Sequence, residues 1–449
     1  MDVPMFPQDS EDREEMRRRV TETIFVPSSP IRLRDQLRGR EKPYARTLET
    51  LGIPGRSAFI FGERGVGKSS LAWTAAYGYN SSDKDPIRVA CHKTITFPRL
   101  IAQIAKRMHD DLGDGKVKKV TEIGLKTSLV NLMHRIESSP DELPKTVDVN
   151  DAVELLEGLM PKRQGIQRVV IVDELDASED PSFKSDIAFF IKQLGDNQSR
   201  LKFIFAGIAT NVSELLDEHE SAQRCMATIE LERLPPNVLR DIIVEGFKQI
   251  GMSMKDTTAY RIACLSDGFA HFTHLIGLKM ALAALNEDEL PDELNNVQRL
   301  EDAVREAIED SEAIVKEAYE KAVQKYASYE PVLWSVADHW ELYRSTRQIY
   351  ESYVRICKDL AKKGEHVEPV ENKSKLSKLL HNLKQKTHGE ALVSHRTSWF
   401  KIRMSMLRGY ARMVAASKGI PVGLDYLENR LPTSRPPDED DPEDDDRDS

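Results

Sequence analysis

The sequence predicts an α/β domain, a parallel sheet with helices on both faces, and three observations carry that prediction. Ser57–Phe61, Gln167–Val172 (QRVVIV) and Leu201–Ala206 (LKFIFA) are short apolar runs with little polar alternation, as strands buried on both faces require. Between them lie stretches whose apolar residues recur at helical spacing, such as Leu100, Ile101, Ile104 and Met108. The first two runs stop at polar clusters, GERGVGKSS and DELD. In such sheets, ligands gather beyond the carboxyl ends of the strands.

The cluster after the first run is a phosphate-binding loop. Gly62, Gly67, Lys68 and Ser69 fill the pattern G-x-x-x-x-G-K-[ST], with Glu63, Arg64, Gly65 and Val66 inside it and Ser70 next. Glycines permit positive φ and close backbone approach, so successive N–H groups can point at phosphate oxygens. Lys68 supplies a mobile positive charge for the β/γ-phosphates, and the Ser69 hydroxyl is a ligand for Mg²⁺. The helix starting near Lys68 aims its positive end at the same anion. The chain is therefore read as binding ATP with Mg²⁺; a glycine-rich turn that matches by accident is the alternative.

The remaining elements follow in order. Residues 1–24 are highly charged and are assigned to a mobile leader. Phe25–Ile31, punctuated by prolines, is an extended approach to a helix ending at Leu51, so that residues 25–232 form the α/β core. A helix runs from the loop to about Tyr79, Pro86–Ala90 is a second strand, and Phe97–Leu112 is a helix. Residues 113–144 are polar and poorly patterned, and Val149–Leu159 is helical again. The QRVVIV strand delivers Asp173, placed to hold Mg²⁺ through water, and Glu174, placed to deprotonate the attacking water. A strand-to-helix turn with capping acids is the alternative. LKFIFA ends in GIATN, which puts Thr210 or Asn211 beside the γ-phosphate or simply in a turn. Arg224 precedes a short strand, Thr228–Leu231. Residues 233–325 read as a helical lid: Pro235–Ile250, Asp256–Ser266, Phe269–Leu285 and a long charged helix to about Lys325.

Composition bounds the rest. A chain of 449 residues, 40% hydrophobic and 31% charged, has length and apolar content for two or three domains with sizeable cores. No apolar stretch is long enough to span a bilayer, and the N-terminus has no signal-peptide apolar region, so the cytoplasm is expected. Cys91, Cys225, Cys264 and Cys357 have no metal-ligand spacing and are expected as buried free thiols. Charge is uneven: residues 1–325 carry about −10, 326–420 about +8 and 421–449 about −8.

The basic segment, 326–420, reads as helices followed by a β-ribbon. Ser374–Lys386 has Leu376, Leu379, Leu380 and Leu383 as its apolar stripe, with Lys375, Lys378 and Asn382 opposite. Ala391–Val393 and Trp399–Ile402 flank a turn containing Arg396. This is the plan of a winged-helix domain, with Ser374–Lys386 as recognition helix. Lysines and Arg396 would meet phosphates of double-stranded DNA, and Asn382 would reach base edges; contacts to a partner protein are the alternative. Residues 421–449, rich in aspartate, cannot bury enough apolar area to fold and are read as a disordered acidic tail.

Taken together, GERGVGKSS, VVIVDELD, GIATN and the helical segment after them resemble the AAA+ ATPases, a P-loop family. The chain is most similar to the origin-recognition initiator branch, and to bacterial proteins that join this ATPase to a winged helix. The resemblance implies that Thr210 or Asn211 is the first sensor. It implies that Arg224 acts on the γ-phosphate, in the same site or that of a neighbouring subunit of a homo-oligomer. The family's lid arginine is replaced here, since Gly268-Phe-Ala-His271 stands at its place, and His271 is not a dependable cation at neutral pH. The expectation is a slow ATPase that couples nucleotide state to DNA or to assembly. The second reading is a signalling switch, for example in defence, whose winged helix contacts protein.

Overall fold

A computed structural model describes residues 10–81, 84–111, 147–160, 167–208, 222–286, 297–323, 328–365, 367, 369–396 and 398–424. Two compact units divide the chain: Pro30–Glu63 with Gly67–Glu232, and Met1–Ser29 with Arg64–Val66 and Arg233–Ser449.

The described chain opens with α1 (Ser10–Arg19) and a π-helical turn, Val20–Ile24. Charge alone assigns this stretch to a mobile leader, yet it is helical. Met16, Val20 and Ile24, four residues apart, are buried along one side, and that stripe gives the segment something to bury. Phe25 comes next and is wholly buried. It packs on Phe247 and His274, with ring centroids 5.5 and 6.2 Å away. The sequence places Phe25 at the start of the α/β core; it belongs instead to the second unit. Gly277 makes room for the ring, since a Cβ there would lie 2.6 Å from Phe25 Cε1.

The first unit runs α2 (Glu41–Gly52), β1 (Ser57–Phe61), α3 (Lys68–Tyr79), β2 (Ile87–Ala90), α4 (Phe97–Asp110), α5 (Val149–Gly158), β3 (Arg168–Asp173), α6 (Phe183–Asp196), β4 (Leu201–Gly207), the single turn α7 (Ala222–Cys225) and β5 (Met226–Glu230). The five strands are parallel, in the order β2-β3-β4-β1-β5. Helix starts carry local signals. Thr96 caps α4 ahead of Pro98, and Asp148 caps α5 through the amides of Asn150 (2.8 Å) and Asp151 (3.2 Å). Every residue of β3 and β4 is buried, which is why neither shows alternation in sequence. Phe203 stacks on Phe205 (5.7 Å) and meets Phe190 edge-on (5.1 Å); burying one such ring contributes roughly 1.5–3 kcal/mol.

The second unit continues with α8 (Pro236–Lys248), α9 (Asp256–Ser266), α10 (Ala270–Leu285), α11 (Val297–Glu309) and α12 (Ala313–Val323). The single long helix expected up to about Lys325 is thus two. Between them Ser311, buried, donates its hydroxyl back to the Ala307 carbonyl (2.7 Å) and competes with the helical ladder. Then follow α13 (Tyr329–Ala337), β6 (Arg344–Ser345), α14 (Thr346–Lys362), α15 (Lys373–Asn382), β7 (Leu392–His395), β8 (Trp399–Ile402) and α16 (Ser405–Ser417). Ser345 and Gln348 form a reciprocal capping box at the start of α14. β6, β8 and β7 make an antiparallel sheet in that order. Among the described residues no helix is long and apolar enough to cross a membrane.

Buried in this unit is an acid with three basic partners. Asp267 ends α9 in the left-handed conformation (φ 52°) and has no exposed surface. Its Oδ2 accepts from Arg233 (2.8 Å), and its Oδ1 lies 3.0 Å from Arg408 and 3.1 Å from Arg412. Arg412 also donates to the carbonyls of Ala337, Cys264 and His339. α9 and α16 are joined through this carboxylate.

Candidate active site

The order of strands assembles the site. β4 lies between β1 and β3, and the register pairs Phe61 with Gly207 and Val172 with Phe205. The phosphate loop after Phe61 and the acids after Val172 therefore leave the same edge of the sheet, one strand apart.

The loop takes the shape that its glycines allow. Gly62, Gly65 and Gly67 have φ of 156°, 85° and 97°. At Gly67, which precedes α3, a Cβ would meet nothing within 4 Å; the backbone angle, not space, calls for glycine there. Lys68 donates from Nζ to the carbonyls of Gly62 (3.0 Å) and Glu63 (2.8 Å), so the lysine folds across its own loop. Arg64 is exposed and pairs with Glu312 at 3.4 Å, while Val66 is buried. Ser69 stands in the first turn of α3. Ser70, expected among the nucleotide contacts, has a structural partner: its hydroxyl accepts the N–H of Ile31 (3.1 Å).

Asp173 ends β3 with its side chain 2% exposed. Its Oδ1 accepts the Glu174 N–H (3.0 Å), and its Oδ2 accepts from Arg88 Nε (3.1 Å) and Nη2 (2.7 Å). Glu174 is exposed and sits in the left-handed region, φ 56° and ψ 43°, a conformation that costs a non-glycine residue on the order of 1 kcal/mol or more. The turn leaves its carboxylate exposed immediately beyond the packed strand. Cys91 donates its N–H to the Asp173 carbonyl (2.8 Å). Burial, then the charges of Asp173, Glu174 and Asp176, push its thiol up to about 12. Cys91 is therefore inert, and the free cysteines are buried or half-buried.

The donor set fits a magnesium nucleotide: a backbone cradle, one lysine, a hydroxyl at Ser69 and a carboxylate at Asp173. Arg88 belongs to no sequence motif of the site. Its signal is present, a guanidinium alternating with Ile87 and Val89 in a strand otherwise turned to the core.

Other expected residues stand elsewhere. Thr210 and Asn211 lie outside the described residues. Arg224 is exposed, ahead of β5, and β5 begins opposite Ser57 while the loop follows Phe61. Four residues of strand, about 13 Å, separate its backbone from the loop of its own sheet. Arg224 thus stands toward the opposite end of β5 from the phosphate loop. In the second unit, His271 is half-buried and its Nδ1–H donates to the Pro27 carbonyl at 3.0 Å. Expected nucleic-acid contacts are spread over α15 and the hairpin. Lys375 pairs with Glu371 (2.7 Å), Lys378 is exposed, and Asn382 donates its amide to the Tyr329 hydroxyl (2.9 Å). Arg396 turns the hairpin at φ 59°. α15 stops at Asn382, four residues short of the expected Lys386, and Leu383 is buried just past its end.

No protein-family model matches the chain, and no curated protein matches it. Solved structures do. The Walker-type ATPase PABY2304 of Pyrococcus abyssi is 17% identical, with a TM-score of 0.51 over 87% of this chain and 99% of that one. The two share a fold. The ORC2 protein of Aeropyrum pernix, solved with ADPNP and ADP, is 13% identical, with a TM-score of 0.45 over 90% and 98% of the chains. The ORC1 protein of the same organism, solved in complex with DNA, is 15% identical, with a TM-score of 0.40 over 89% and 97%. The fold shared with that ATPase is α/β, a five-stranded parallel sheet with flanking helices.

Proposed function

We propose that the protein binds ATP with Mg²⁺, hydrolyses it slowly, and uses the nucleotide to control a winged-helix module. One observation carries the first part: the glycine loop with Lys68 and the pair Asp173/Glu174 leave the same sheet edge one strand apart. Loop amides and Lys68 would hold the phosphates; Ser69 and Asp173 would hold the metal, which would supply positive charge to neutralise them. Glu174, exposed at the turn, accepts the proton of the attacking water. Slow turnover follows from His271, which offers a carbonyl-bound imidazole where a lid arginine would offer a fixed charge. Lys68→Ala tests the assignment. It should weaken ATP binding in calorimetry at least tenfold, since a charge-assisted contact to phosphate is lost, and unchanged affinity would remove the site from the loop.

For the module, the preferred reading is contact with DNA phosphates through Lys375, Lys378 and Arg396, under control of nucleotide or assembly. Three helices with the antiparallel sheet β6-β8-β7 support a winged helix, and the excess of positive charge supports a phosphate partner. The second reading, a signalling switch whose winged helix docks protein, draws on Asn382. Its amide is tied to Tyr329, so base-reading would cost that bond.

A further inference from the structure

Asp173 does not stand alone at the end of its strand. β2 and β3 pair Ala90 with Asp173 and Arg88 with Ile171, so Arg88 reaches along the sheet toward the carboxylate from two residues back. It places two donors on one oxygen, Nε at 3.1 Å and Nη2 at 2.7 Å, while the Glu174 amide takes the other oxygen at 3.0 Å. Oδ2 is thus saturated by one residue. Oδ1 keeps a lone pair for water, and the planar fork of Arg88 fixes which oxygen that is. The carboxylate is 2% exposed and the guanidinium 33%, so the cation stays partly hydrated while the anion's orientation is set.

We propose that Arg88 is a positioning residue of the metal site: it aims Oδ1 of Asp173 and, by its charge, sets how tightly the site takes Mg²⁺. This rests on the ATP–Mg²⁺ reading above. Two consequences have opposite signs. Loss of the fork lets the carboxylate turn, so turnover falls. Loss of the positive charge removes a repulsion felt by the metal, so Mg²⁺ binds more tightly. Even with the screening of bulk water, a single and a double charge a few ångströms apart change affinity by roughly tenfold.

The test uses the full chain. ATP affinity is measured by calorimetry in EDTA and in excess MgCl₂, and the ratio of the two is compared among wild type, Arg88→Gln and Arg88→Lys, alongside turnover. For Arg88→Gln the ratio should rise about tenfold while turnover falls about tenfold. Arg88→Lys keeps the charge but not the fork, so its ratio should stay near wild type with turnover still reduced. A merely structural role would lower the ratio and turnover together. An unchanged or lowered ratio in folded Arg88→Gln, or a raised ratio in Arg88→Lys, would overturn the role of Arg88 with ATP binding intact. Wild-type protein that binds no ATP would overturn the nucleotide reading itself, and this proposal with it.

Discussion

Glu174 shows how much one backbone angle settles. Its left-handed turn exposes the carboxylate immediately after a wholly buried strand. Glu174→Gln preserves shape and leaves Asp173 in place, so ATP should still bind while turnover drops on the order of 10²-fold or more; a single-turnover assay reads both. If hydrolysis continues at the wild-type rate, the base lies elsewhere. A second residue reports on pH. His274 is buried and accepts the Val26 N–H at Nδ1 (3.3 Å), which a protonated ring could not do. Burial, with His271 nearby, lowers its pKa to about 4 from an ordinary 6.5. The neutral form is favoured in the native state, so its contribution is complete above pH 6.5. That contribution is lost as pH falls from 6.5 towards 4, by on the order of 3 kcal/mol. Urea midpoints at pH 7 and pH 4.5 should therefore differ less in His274→Gln than in wild type. The phosphate loop and Asp173/Glu174 were legible because each motif is contiguous. Arg88 was not, because its partner is 85 residues away in sequence and only the register brings them together.

At the level of elements, helices with local signals are legible in the sequence, and those decided by distant packing are not. α14 has its capping box and α4 its Thr96-Phe97-Pro98 start in plain sight. The charged stretch before Phe25 looked unstructured because its apolar stripe, Met16, Val20 and Ile24, is thin and its partners lie far along the chain. The junction of α9 and α16 is a similar case, since no sequence pattern announces that Arg408 and Arg412 share Asp267. Asp267→Ala leaves three guanidinium groups without their carboxylate, and breaking such a buried set costs about 3–5 kcal/mol. Asp267→Asn separates charge from backbone, since asparagine also tolerates the left-handed conformation. Both variants should lower the urea midpoint; if Asn matches wild type, the carboxylate's charge contributes nothing to the junction.

At the level of the molecule, the uneven charge is the handle. If the basic module meets duplex DNA, each phosphate contact contributes about −0.9 to the slope of log K against log salt. Lys375→Ala with Lys378→Ala should weaken binding to all sequences and flatten that slope by roughly two units. Deleting the acidic stretch from Pro437 should raise affinity most at low salt, where its competition for the same lysines is least screened. DNA retention unchanged by the lysine substitutions in a polarization assay would move the module to the protein-docking reading. The fold class was legible because three buried strands announce themselves by composition. The strand order was not, because it depends on pairings that no local pattern records.

That strand order also bears on how the chain is made. β1 carries the phosphate loop, yet its neighbours are β4 and β5, and Phe61 finds its partner Glu230 only near the end of the unit. During synthesis the apolar segment Ser-Ala-Phe-Ile-Phe waits roughly 140 residues for β4 and roughly 170 for β5, the second wait being about ten to thirty seconds at ordinary elongation rates. A nascent chain stalled before β4 carries the strand with both edges open, and one stalled between β4 and β5 carries it with one edge open. The arrangement that puts lysine and acids on one edge thus makes the early chain a client for whatever shields hydrophobic segments at the ribosome.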